Sequence, residues 1–96
     1  MDNNTVLNII KEFSNQEKNK YQIKRIGIFG SCARNIMSPE SDVDVVVEVG
    51  DQDLFNLIGI KQELERRLHR HVDIVSYRDK MNPYLRRKIE NEAIYV

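Results

Sequence analysis

From Val43 to Val49, five of seven residues are valine, and no other stretch holds the chain so firmly to one conformation. β-Branched side chains lose freedom in a helix and pack well on a pleated surface. The run therefore predicts a buried strand, ended by Gly50 and Asp51. On either side the hydrophobic period changes from strand-like to helical. Val6, Ile9, Ile10 and Phe13 recur at helical spacing, with Asn3, Asn4 or Thr5 as candidate caps. The polar, lysine-rich stretch from Gln16 to Lys20 reads as the end of that helix plus a linker. Arg25-Ile26-Gly27-Ile28-Phe29 is a short apolar run stopped by Gly30-Ser31, which predicts a second buried strand. A short helix is expected from Ala33 to Met37, then turn chemistry at Ser38-Pro39-Glu40-Ser41.

Beyond the valines, Leu54, Leu57, Ile58, Leu64 and Leu68 mark an amphipathic helix that runs into the basic cluster Arg66, Arg67, His69, Arg70 and His71. Val72-Asp73-Ile74-Val75 predicts a third strand. Asn82-Pro83 reads as a cap followed by a first-turn proline, opening a last helix through Leu85, Ile89 and Ala93. Ile94-Tyr95-Val96 fits either the end of that helix or a short edge strand. Alternating helices and strands argue for an α/β (α+β) sandwich, a small mixed sheet of three or four strands with helices packed on it.

A chain of 96 residues makes one domain, spanning 1–96, with one modest core and little room to enclose a substrate. A complete active site then calls for a partner or a second copy of the chain. Net charge is zero, so no global field draws the chain to nucleic acid or to a membrane. The halves differ: residues 1–55 hold six Lys/Arg against nine Asp/Glu, and residues 56–96 nine against six. The acidic half is the place for metal chemistry and the basic half for triphosphate or partner contacts. Cys32 is the only cysteine, which excludes an internal disulfide and suits a reducing compartment. The polar start Met1–Thr5 resembles no signal peptide and no apolar run reaches membrane-spanning length, so the cytoplasm is the expected location.

Three features carry chemistry. Gly30-Ser31 stands where a strand runs into a helix; glycine admits a ligand close to the backbone, and a serine hydroxyl can hold a phosphate oxygen. Arg34, one helical turn on, can reach the same anion with its guanidinium fork. A tight turn followed by an exposed arginine fits those residues equally. Neither a dinucleotide fingerprint nor a Walker A loop is present, since Gly27 and Gly30 miss the first spacing and no Gly-Lys-Ser/Thr follows. Asp42-Val43-Asp44 places two carboxylates on one face of a strand, roughly 6.5–7 Å apart. Aspartate is disfavoured in strands and like charges repel, so a hard divalent cation such as Mg²⁺ would compensate the pair. The competing reading has Asp42 capping the turn and Asp44 facing solvent. Asp73 is isolated in an apolar strand, which fits an edge residue or an ion-pair partner. Beside the Asp42–Asp44 strand it would instead complete a three-carboxylate site able to clamp a triphosphate and lower the pKa of an attacking hydroxyl.

His69, His71 and Arg86-Arg87-Lys88 read as solvated helix surface, Cys32 as a small packed residue, and Tyr77, Tyr84 and Tyr95 as packing at the core boundary.

Gly30-Ser31-Cys32-Ala33-Arg34, Ser41-Asp42-Val43-Asp44-Val45-Val46-Val47 and Val72-Asp73-Ile74-Val75 together resemble the DNA polymerase beta-like nucleotidyltransferase superfamily. The likeness is greatest to its minimal branch, the antitoxin half of HEPN/minimal-nucleotidyltransferase pairs; kanamycin nucleotidyltransferase is a larger relative. It spans about residues 23–76. The resemblance implies that fold, with Gly30, Ser31 and Arg34 on the triphosphate of ATP and Asp42 and Asp44 on Mg²⁺ or Mn²⁺. Asp73 would complete the metal site or act as base toward the acceptor hydroxyl. It further implies a helical HEPN-type toxin as partner, with AMP moved to a hydroxyl of that protein. Two positions depart from the family pattern: Cys32 stands where arginine is common, and Asn35 where glycine is common. Asparagine tolerates the left-handed region, so the turn is expected to survive. Three functions compete at this point: active transferase, antitoxin acting by occlusion, and a metal- or nucleotide-sensing module. A small-molecule acceptor is the alternative for the first.

Overall fold

The computed structural model describes residues 2–36, 41–50 and 53–96. Helix α1 spans Asn3–Tyr21, strand β1 Ile23–Phe29, the single-turn helix α2 Gly30–Ala33, and β2 Val43–Val49. Helix α3 follows at Leu54–Leu68, β3 at Val72–Ser76, α4 at Pro83–Glu92 and β4 at Ile94–Tyr95. The strands form one mixed sheet in the order β3-β2-β1-β4. β2 and β3 are parallel, joined over α3, whereas β1 runs antiparallel to both β2 and β4. Ile94-Tyr95 thus takes the edge-strand alternative, pairing with Ile28 and Gly27.

The period-2 pattern of β2 sends its valines to opposite faces. Val43, Val45, Val47 and Val49 join Ile26, Ile28, Val72 and the apolar stripes of α1 and α3 in the main core. Val46 turns the other way and meets Phe29 and Ile89 under α4. Helices therefore cover both faces, and β2 is buried on each, which is why valine fills it almost throughout.

Several local expectations need correction. The cap of α1 is Asp2, whose carboxylate accepts from the Thr5 N–H and hydroxyl at 2.9 Å each, not Asn3, Asn4 or Thr5. Those bonds hold the Asp2 carboxyl below its usual range. α1 also runs through Gln16–Lys20 to Tyr21, where the ring stacks on Phe13 at 6.1 Å and gives the polar last turns an anchor. The short helix expected from Ala33 starts earlier, at Gly30, and ends by Arg34; Met37 and the turn at Ser38-Pro39-Glu40 lie outside the described residues. Asn82 caps α4 as expected, accepting from the Tyr84 and Leu85 N–H groups at 2.8 and 3.2 Å.

Gly27 lies where β4 crosses closest. A Cβ there would stand 2.3 Å from the Ile94 carbonyl oxygen, a backbone atom that cannot step aside by rotation. Gly27→Ala is expected to unseat β4, breaking the Val96 N–H bond to Ile26 (3.0 Å), and to cost about 1–3 kcal/mol in urea unfolding. An unchanged midpoint would mean that β4 contributes nothing to stability.

Candidate active site

The parallel register of β2 and β3 sets Asp44 directly beside Asp73, just as it sets Val46 beside Val75. Side chains at these positions share a face, and Val46 and Val75 place it under α4. On the other side of β2, Asp44 pairs with Phe29, the last residue of β1, so the Gly30 turn abuts the same carboxylate. Asp42 precedes β2, is exposed, and lies near enough to act on Asp44. Among the described residues, no three His, Cys, Asp or Glu side chains stand in a metal-holding arrangement.

Gly30 has φ +69°, the left-handed region that favours glycine. A Cβ on it would lie 2.4 Å from Asp44 Oδ2. The missing side chain is what lets the carboxylate rest against the turn. The four-residue helix then closes at Arg34, and Asn35 takes φ +58°, the left-handed step expected of asparagine there. Asn35 Oδ1 also accepts from the Asn3 N–H at 3.3 Å, tying the turn to the start of α1. Ser31 is half-buried and Arg34 exposed.

Burial, then the Asp73 charge, pushes the Asp44 carboxyl above its usual range; Lys88 works against that shift, while Asp42 and Glu92 add to it. A cation among these oxygens would remove the repulsion, and an all-carboxylate donor set suits a hard ion such as Mg²⁺. Burial, and after it the Asp44 charge, also raises the thiol of Cys32. The thiol is fully buried and stays protonated, which agrees with its reading as a packed residue and not a nucleophile.

Two charged residues of this site carried no separate signal in the sequence reading. Lys88 and Glu92 sit at i and i+4 on one flank of α4, the spacing that brings side chains to the same side. Glu92 Oε1 is 4.0 Å from Arg34 Nη1, while its Oε2 is buried and has no hydrogen-bond partner among the described residues. The available clue was the Asn82-Pro83 helix start, which fixes the phase of α4 and places Lys88 and Glu92 together. His69 and His71 are exposed, away from the carboxylates. His69 is the left-handed cap of α3, and His71 lies 3.5 Å from Glu65, whose carboxylate accepts from the Val72 N–H at 3.0 Å. Tyr77 and Tyr95 are half-buried and stack on the two sides of the Arg25 guanidinium, at 4.9 and 4.5 Å. Tyr84 departs from the expected core boundary: it is 80% exposed.

A hollow of about 410 Å³ over α1 and α3, lined by Ile9, Glu12, Gln16 and Arg67, lies on the sheet face opposite the carboxylates. It is bridged by the 2.7 Å bond from Arg67 to Gln16 and contains no part of the constellation above.

With this geometry in view, the similarity to known proteins is informative. The nucleotidyltransferase domain model matches residues 8–96. A Methanocaldococcus jannaschii protein that carries the name protein adenylyltransferase is 42% identical over 78 residues, covering 80% of this chain and 83% of its own. A solved minimal nucleotidyltransferase superposes with a TM-score of 0.80 at 34% identity, covering 98% of this chain and 95% of that one. A chain of a toxin–antitoxin complex crystallised with AMP-PNP shares the fold, with a TM-score of 0.76 at 24% identity and coverage of 92% and 69%. The four-stranded mixed sheet, the helices on its two faces and the matched length place this chain in the nucleotidyltransferase domain family, as a minimal member of that class of enzymes.

Proposed function

We propose that the chain is a protein adenylyltransferase that moves AMP from ATP to a hydroxyl, most simply a tyrosine, of a helical HEPN-type toxin, and so serves as the antitoxin of the pair. The observation that carries this reading is the Asp44–Asp73 register pair set against the Gly30 turn. The name carried by the 42%-identical relative supports protein as the acceptor class. Asp42, Asp44 and Asp73 would hold Mg²⁺ or Mn²⁺, which supplies charge neutralisation at the triphosphate and a more acidic acceptor hydroxyl. Gly30 and Ser31 would take phosphate oxygens at the turn, and Arg34 would support them from its exposed end. The small domain leaves no enclosed acceptor pocket among its described residues, so the partner supplies that wall. The basic surface around Arg66 to His71 and the last helix near Arg86 are where it would dock.

Incubation with ATP, Mg²⁺ and the product of the neighbouring gene tests the proposal. Intact-mass spectrometry should find that product heavier by one or more AMP groups. No gain, with a stable complex that still silences the toxin, would replace transfer by occlusion.

Metal dependence gives a second test. Carboxylates and triphosphate repel each other when no cation stands between them. Calorimetry should give tight ATP binding in Mg²⁺ and at least about tenfold weaker binding in EDTA, since each ~1.4 kcal/mol of lost attraction is tenfold. Equal affinity in both would remove metal-bridged binding.

A further inference from the structure

On the outward flank of α4, Tyr84, Arg87, Lys88 and Asn91 line a shallow groove of about 190 Å³. Of the four, Tyr84 is the anomaly: a large ring, 80% exposed, in a helix whose apolar side is taken by Leu85 and Ile89. Exposed tyrosine has an apolar face and no packing partner here, yet its neighbours are two cations and an amide, not a hydrophobic patch. A face of that kind beside positive charge suits a flat, anionic ligand.

The groove is continuous with the carboxylate site through Lys88. That residue lines the groove and lies near enough to Asp44 to favour its ionised form. α4 ends beside Arg34, through Glu92. Going back along the helix from Glu92 passes Lys88 and then Tyr84, with about 6 Å of rise between successive members of the series. A triphosphate held at Gly30 and the carboxylates would therefore extend its nucleoside along this flank toward Tyr84. Whole small-ligand pockets run from about 300 Å³ upward; a groove of 190 Å³ suits one part of a nucleotide, its base.

We propose that this groove is the nucleoside subsite, with the purine stacked on the Tyr84 ring and Arg87 and Lys88 flanking the sugar–phosphate. The proposal rests on the nucleotidyltransferase reading above, and the experiment separates the two. Mg²⁺–ATP and Mg²⁺–tripolyphosphate are titrated by calorimetry into the full chain, Tyr84→Ala and Tyr84→Phe. Tyr84 makes no packing contribution to either core, and a far-UV spectrum checks that each variant stays folded. Tyr84→Ala should weaken ATP about tenfold, the scale of one lost base–aromatic stack. Tyr84→Phe should stay within about twofold of the native chain, because the ring and not the hydroxyl carries the contact. Tripolyphosphate, which has no base, should bind all three chains alike.

Equal weakening of both ligands by Tyr84→Ala, or none of ATP, overturns the subsite while leaving triphosphate binding intact. An intact ATP affinity with a weakened partner complex also overturns it, giving the groove to the acceptor protein instead. If the native chain binds neither ligand in Mg²⁺, the fault lies with the nucleotidyltransferase reading itself, and the subsite falls with it.

Discussion

Asp44→Asn should reduce AMP transfer at least about 10³-fold and at the same time raise the thermal midpoint of the metal-free protein. The first effect follows from charge. An amide keeps the shape of the side chain and loses the anion, and a bound metal contributes several kcal/mol of charge stabilisation to such a reaction. At ~1.4 kcal/mol per factor of ten, that is a loss of this order. The second effect follows from the repulsion already present. Burial and Asp73 disfavour the ionised Asp44 in the folded state. Its folded pKa is raised, so the protonated form contributes stability below the ordinary carboxylate pKa, and that contribution is lost as pH rises through the raised value. The asparagine variant has no such loss. In EDTA its advantage should therefore be absent in acid and grow toward neutral pH, reaching a few degrees, since about 1 kcal/mol moves the midpoint of a domain this size by roughly 4–8 °C. With saturating Mg²⁺ the native chain should gain stability that the variant does not, because the ion binds only the folded site. Near-normal transfer by Asp44→Asn would remove Asp44 from the metal site. An unchanged pH profile in EDTA would mean that the carboxylate repulsion is relieved by solvent.

These two effects come from features of unequal visibility in the sequence. The valines of β2 declare their strand because no helix tolerates such a run well, and the cap at Asn82 declares the start of α4 through side-chain chemistry local to it. The pairing of Asp44 with Asp73 is different. Twenty-eight residues and the whole of α3 separate them, and only the parallel crossover of β2 and β3 brings them level. Sequence spacing put Asp42 and Asp44 on one side of a strand but could not say which strand lay alongside. Errors at the helix ends have the same origin. Lysine, glutamine and glutamate are good helix formers, so the polar composition of Gln16–Lys20 was no reason for the helix to stop, and the Phe13–Tyr21 stack carries it one turn further. Tyr84 was grouped with Tyr77 and Tyr95 because burial of a ring depends on the helix face it occupies. That face is fixed by Leu85 and Ile89, one and five residues on.

Gly30→Ala should cost more in catalysis than in stability, and it tests whether the turn and the carboxylate form one unit. The stability cost comes from the backbone: at φ +69° an alanine pays about 1–2 kcal/mol for the left-handed conformation. The catalytic cost comes from the new Cβ, which would stand 2.4 Å from Asp44 Oδ2. Asp44 leads a strand whose next residues are fully buried, so β2 cannot slide away and the carboxylate must rotate instead. A displacement of that size in a reacting geometry costs on the order of 10²-fold in rate, so transfer should fall about that far while the protein remains folded at room temperature. A double-mutant cycle isolates the contact. In an Asp44→Ala background the added methyl meets no carboxylate, so only the left-handed term should remain, and the stability loss on Gly30→Ala should be smaller than in the native background. If the losses are equal in both, the methyl and the carboxylate do not meet. Glycine would then serve the turn's φ without regard to Asp44, and the joining of phosphate turn to carboxylate strand would have to depend on Ser31 or Arg34.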